Sequence, residues 1–200
     1  MAYHGYFYES ITDNSILESL EKKIRKPSTP EFKDWVGYSK VPLQYHATDN
    51  EGFTEFDMHR SDLGAHVGTL EQAQKRMSTK GGTGSIMKFW VNIRNPIRLK
   101  DEGSFNANAI SGQLLRRGII SKELATEINL AGYKGDRKYN EIVRNKLISL
   151  GYDGVVYKNE NEGSGDSYII IDPTTIKSAD RNSGKFDRNS PDFTQESIDL

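Results

Sequence analysis

Three consecutive stretches, residues 106–117, 121–130 and 137–150, carry apolar residues at three- and four-residue spacings, and Gly118, Gly132 and Gly151 stand at their ends. Such spacing lines one face of an α-helix, and glycine after the last apolar position is a common stop. Three helices in succession break the regular strand–helix alternation of a doubly wound parallel sheet. The runs on either side read as strands, so the chain is predicted to be α+β, with its helices grouped between strands.

The strand-like runs are short. Residues 41–46 (VPLQYH) alternate apolar and polar positions and end at the turn 47–50, which leaves His46 at a strand end. Residues 64–67 read as a second strand. Thr69 then caps a helix over 70–77, with Gln72 at its third position as in a capping box. The glycine-rich stretch 80–85 forms a loop before a strand over 86–94, and two late strands follow at 154–157 and 167–172, separated by the polar loop 158–166. Near the start, Ile16, Leu20 and Ile24 share one face of a helix over 15–26, ended by Pro27 and Pro30. Its Lys22, Lys23, Arg25 and Lys26 form a solvated face, with phosphate contact as the other reading. From Ala179 onward the composition is polar and turn-rich, as in a surface or disordered tail. The expected organisation is an N-terminal helical segment (1–40), a core (41–178) and a C-terminal tail (179–200).

Composition narrows the chemistry. With no cysteine, disulfides, thiolate nucleophiles and cysteine-based zinc sites are excluded. A net charge of -1 supplies no global attraction for nucleic acid. No apolar run approaches the about 20 residues that span a bilayer, and the first nine residues lack the order of a signal peptide. The expectation is a cytoplasmic protein without a membrane partner, with delivery into a target cell left open. No G-x-G-x-x-G follows a first strand, and the glycine stretch lacks the GK[ST] of a phosphate loop. His59 with Asp57 and Asp62 matches no ligand spacing, so no metal is expected. Arg116 and Arg117 suit a helix C-terminus as well as they suit a phosphate.

Four pieces carry more specific information. Trp35, Ser39, Lys40 and Val41 precede Tyr45-His46-Ala47-Thr48; Phe53 and Phe56-Asp57 precede the turn from Gly64 through His66 and Gly68 to Thr69; and a long stretch runs Tyr152-Asp153-Gly154 to Lys158-Asn159, Glu162, then Asp166-Ser167-Tyr168-Ile169 and Asp172 to Ser178. In their order and spacing they resemble the ADP-ribosyltransferase superfamily, in particular the domains embedded in phage and plasmid polyvalent proteins and related toxins. The resemblance implies two small packed β-sheets around a cleft for NAD as co-substrate. It gives His46 the adenine-side ribose, with Tyr45, Ala47 and Thr48 beside it. His66 occupies the place of a ring over the nicotinamide, near Gly68 and Ser167. A glutamate would bond the 2′-hydroxyl of the nicotinamide ribose.

The need for a carboxylate there also follows from chemistry. Loss of nicotinamide leaves a ribosyl cation like the oxocarbenium species of glycoside cleavage, and an anion holding the 2′-hydroxyl binds it more tightly as charge develops. Two departures from the family pattern stand out: Ala47 replaces a glycine, and Ser167 stands before Tyr168 where the best-known transferases have the glutamate. Glu162 is the first choice for the catalytic anion and Glu160 the second; the alternative is that both are solvated loop charges. His46 has a structural reading as a hydrogen-bonded histidine, and His66 one as a helix-capping group. The expected function is transfer of ADP-ribose to a protein or nucleic-acid acceptor by a toxin or antiphage defence effector, held in check by an antitoxin or immunity protein. An NAD glycohydrolase and a catalytically degenerate binding module are the other two readings.

Overall fold

The computed structural model describes residues 29–41, 43–50, 52–60, 62–79, 81–82, 84–181 and 185–195. The expected helix over 15–26, with its basic cluster, lies outside these residues.

Two small sheets organise the chain. β1 (Leu43–Thr48), β3 (Ser85–Val91) and β7 (Ile176–Ser178) form an antiparallel sheet in the order β1-β3-β7. β2 (Ala65–Val67), β4 (Pro96–Arg98), β5 (Gly154–Lys158) and β6 (Asp166–Ile170) form the other, in the order β2-β6-β5-β4, with only β4 and β5 parallel. Among the described residues a single bridge joins the sheets: Tyr45 and Gly68 exchange backbone hydrogen bonds of 2.9 and 3.0 Å.

Helices α1 (Pro30–Gly37) and α2 (Leu70–Thr79) flank the three-stranded sheet, and α3 (Ala107–Arg116), α4 (Lys122–Ala131) and α5 (Asp136–Ser149) pack against the four-stranded one. The grouping of α3 to α5 matches the periodicity. Gly118 and Gly151 follow helix ends with φ of 66° and 81°, a region strained for any residue with a Cβ. The capping box is formed as expected: Thr69 Oγ1 accepts from Gln72 N at 3.2 Å and Gln72 Oε1 accepts from Thr69 N at 2.9 Å.

Strand alternation divides the core. On β6, Ile169 joins Val155, Ile97, Leu114 and Val143 beneath the helices, while its neighbour Ile170 joins Met87, Phe89, Val91 and Ile176 between the sheets. A third cluster forms where Phe32 and Trp35 of α1 meet Trp90 and Phe186. Three short elements, α1, β4 and β7, escape the periodicity argument because three to eight residues are too few to display a period.

The C-terminal segment departs from the expected surface or disordered tail over 185–195. Phe193 is fully buried, with its ring 5.1–5.6 Å from those of Phe53, Phe56 and Phe89. Its backbone accepts from Ser178 N and donates to Thr54 O. Lys177, also fully buried, donates from Nζ to Ser190 O at 2.6 Å. An ammonium removed from water needs such acceptors, and the polar backbone of this segment supplies them. Phe193→Ala is expected to lower unfolding free energy by about 3–5 kcal/mol, read from the midpoint of a urea denaturation curve.

Candidate functional site

A cleft of about 840 Å³ opens beside the bridge between the sheets. The wall from the three-stranded sheet is Tyr45, His46, Ala47 and Thr48, and the facing wall comes from β2, α2 and the β5–β6 hairpin. All nine candidate residues except Glu160 line it. Glu160 is exposed and lies outside the lining.

The bridge leaves little room at its corner. A Cβ on Gly68 would stand 2.2 Å from Gln72 Oε1 and 3.1 Å from Ser167 Oγ, so a side chain there would displace the Gln72 amide from its bonds to Thr69 and Ser167. Gly64, at the entry to β2, is tighter still, since a Cβ there would run into the carbonyl of Ile170.

His46 Nδ1 lies 2.6 Å from the carbonyl oxygen of His66. A carbonyl only accepts, so Nδ1 carries the proton and donates. The His46 ring is held edge-on by Phe56 at 5.2 Å. The Thr48 hydroxyl is engaged locally, donating to Asn50 O and accepting from Asn50 N.

His66 takes a place between Tyr157, whose hydroxyl is 3.1 Å from Nδ1, and Asp62, whose carboxylate is 4.0 Å from Nε2. Although 39% of its side chain stays accessible, the surrounding walls of the cleft dominate. Burial pulls its proton affinity below the ordinary imidazole value, Asp62 and Glu162 oppose the shift, and Arg76 adds to it. Burial likewise pushes the Tyr157 hydroxyl up to about 12, so it remains a donor at neutral pH. A neutral His66 can accept from Tyr157 at Nδ1, which leaves Nε2–H on the side of Asp62, 4.0 Å away and beyond hydrogen-bond reach.

Glu162 is held at both carboxylate oxygens. Oε1 is 3.1 Å from Arg76 Nη1 of α2, and Oε2 accepts from Asn159 Nδ2 at 3.1 Å. Asn159 Oδ1 accepts from the backbone N–H groups of Asn161 and Glu162, and this turn carries Glu162 toward the cleft. Asn159 Nδ2 also donates to Ser167 Oγ at 3.0 Å, and Ser167 donates to Gln72 Oε1 at 3.0 Å. Ser167 is thus a buried link behind the wall, 3% exposed.

Sequence reasoning missed Asn159, Arg76, Tyr157, Asp62 and the second use of Gln72. Asn159 stood inside the recognised motif, and Gln72 was read only as a cap. Arg76 shows no sign along α2 of its pairing with a residue 86 positions later. Asp49, Glu55, Asp57, Asp62, Asp101 and Glu162 make the lining acid-rich against Arg60 and Arg76. Among the described residues no group of three or more His, Cys, Asp or Glu could hold a metal ion, and no helix is long and apolar enough to cross a membrane.

The His66 shift has a consequence for stability. A histidine whose proton affinity is lower in the folded state favours the fold while neutral. Its contribution is therefore intact above the unfolded value of 6.5 and lost as pH falls through the folded value. The thermal midpoint is expected to drop as pH falls below the unfolded value of 6.5, and His66→Gln to remove part of that slope, as followed by thermal melts across pH.

No curated protein and no solved structure matches the chain. A family model described as ADP-ribosyltransferase in polyvalent proteins matches residues 40–186. That span contains both sheets, the bridge between them and every residue of the cleft lining. The chain belongs to the family of ADP-ribosyltransferases of polyvalent proteins.

Proposed function

We propose that this chain binds NAD in the cleft, breaks its nicotinamide–ribose bond and transfers ADP-ribose to a protein or nucleic-acid acceptor, as a toxin or defence effector that an antitoxin or immunity protein would restrain. The observation that carries the reading is Glu162: a carboxylate fastened by Asn159 and Arg76 on the wall of the cleft that His46 lines from the opposite sheet. Glu160, exposed and outside the lining, has no comparable access.

The cleft suits such a substrate in size, since a volume of about 840 Å³ lies within the range that holds extended small molecules. Half-buried Phe53 offers an apolar surface to a ring of the dinucleotide, and exposed Arg60 offers a guanidinium group to its diphosphate. His46, held by the bond between its Nδ1 and His66 O, would face the adenine-side ribose from the three-stranded sheet. The His66 ring would cover the nicotinamide.

In the reaction the C1′–N bond breaks with its electron pair leaving on nicotinamide, and the acceptor's lone pair forms the new bond to C1′ while its proton is lost. Glu162, accepting from the 2′-hydroxyl, stabilises the ribosyl cation between these events. It acts by charge and position, without forming a bond to the sugar.

Glu162→Gln keeps the shape and removes the charge. Nicotinamide release is expected to fall by at least about 100-fold, with the thermal midpoint nearly unchanged. Purified protein incubated with labelled NAD and a cell lysate reads both steps: label on protein or RNA identifies the acceptor, and free ADP-ribose alone identifies water. A Glu162→Gln variant as active as the parent would sink the reading.

A further inference from the structure

Asn159 is 4% exposed and uses both ends of its amide on the same glutamate. Oδ1 accepts from Glu162 N at 2.9 Å and from Asn161 N at 3.0 Å, while Nδ2 donates to Glu162 Oε2 at 3.1 Å and Ser167 Oγ at 3.0 Å. The partners settle which amide atom is which, because only oxygen can face two N–H groups and only nitrogen can face a carboxylate. The side chain therefore fixes the backbone and the carboxylate of Glu162 together. Its own place is fixed by the backbone bond Asn159 N to Gly165 O and, through Ser167 and Gln72 Oε1, by the N-terminal cap of α2.

The two oxygens of Glu162 are held very differently. Arg76, bound to Oε1, is a flexible side chain that is 54% accessible, whereas Asn159, bound to Oε2, is enclosed. The exposed arginine can share Oε1 with an arriving hydroxyl while the enclosed amide stays on Oε2.

We propose that Asn159 is the positioning residue of this site: it pins Oε2 of Glu162 so that Oε1 is the oxygen presented to the 2′-hydroxyl of the substrate. The inference rests on the reading of Glu162 given above and adds which oxygen acts and what aims it. Ser167, at the position before Tyr168, then supports the glutamate through Asn159 from behind the wall.

Asn159→Asp is the discriminating substitution. It has the same shape and keeps an oxygen for the two backbone N–H groups, so the hairpin stays folded. It also replaces the donor to Oε2 with a second carboxylate, and while both are ionised their like charges push Glu162 from its place. Near neutral pH the expected result is a fall in kcat for nicotinamide release of about 100-fold or more, with KM for NAD changed by less than about threefold. Acidification to about pH 5 is expected to recover about tenfold of the loss, as a shared proton restores a donor to Oε2. The other groups facing the carboxylate are Arg76 from α2, Tyr157 from β5 and His66 from β2, and each is present in the parent protein, whose profile is the reference. An asparagine that only supported the hairpin would lower kcat by one factor at every pH, and that outcome overturns the proposal.

A second measurement does not need turnover. The side-chain amide resonances of Asn159 are expected to shift in Glu162→Gln, while those of exposed Asn161 stay in place. Unmoved Asn159 resonances would overturn the proposal. Shifted resonances in a protein that releases no nicotinamide would support the positioning and sink the reading of function alone.

Discussion

Two backbone hydrogen bonds between Tyr45 and Gly68 tie the three-stranded sheet to the four-stranded one, and the functional geometry depends on them. They bring the end of β1 against the end of β2, so that His46 and His66, on different sheets, meet through a 2.6 Å bond. The absence of a side chain at Gly68 lets Gln72 and Ser167 close behind the junction. No other strand pairing crosses between the sheets among the described residues, and the apolar cluster of Ile170 with Met87 and Phe89 is what packs the two faces together behind it.

Behind the walls, buried polar side chains bond to one another, although Gln72 Nε2 has no hydrogen-bond partner among the described residues. Asn159, Ser167 and Gln72 are each at most 4% exposed and bonded to one another, which turns three buried polar groups into a rigid relay from the cap of α2 to the β5–β6 hairpin. Arg144 does comparable work on the far side, reaching from α5 to the carbonyls of Met58 and Leu63 ahead of β2. Phe193 holds the loop of Phe53 and Phe56, and Phe56 in turn holds the His46 ring. The cleft is thus braced from helix, hairpin and C-terminal segment together.

Much of this was legible in advance where the cause is local. The three grouped helices, the capping box and the strand end at His46 follow from spacings of a few residues. The motifs also singled out Glu162, His46 and His66. They could not separate Glu160 from Glu162 by orientation, because what turns Glu162 inward is the amide of Asn159, itself held by a serine on the next strand. They left Ser167 as a departure from pattern, since a serine bonded behind a wall and one facing a ligand look alike in a sequence. Composition also read 179–200 as a polar tail, which hid Phe193 among residues that supply acceptors to buried Lys177.

The sequence by itself determined the class of fold, the family and the short list of chemical groups, because periodicity, caps and motif order act within a few residues of chain. Only the tertiary structure decided which of those groups share a cleft and in what orientation. Ser167 meets Gln72 across 95 residues, and Arg144 meets Leu63 across 81. Such contacts exist only after strands far apart in the chain pair in one register, and a slip of one residue would turn each strand's side chains to the opposite face.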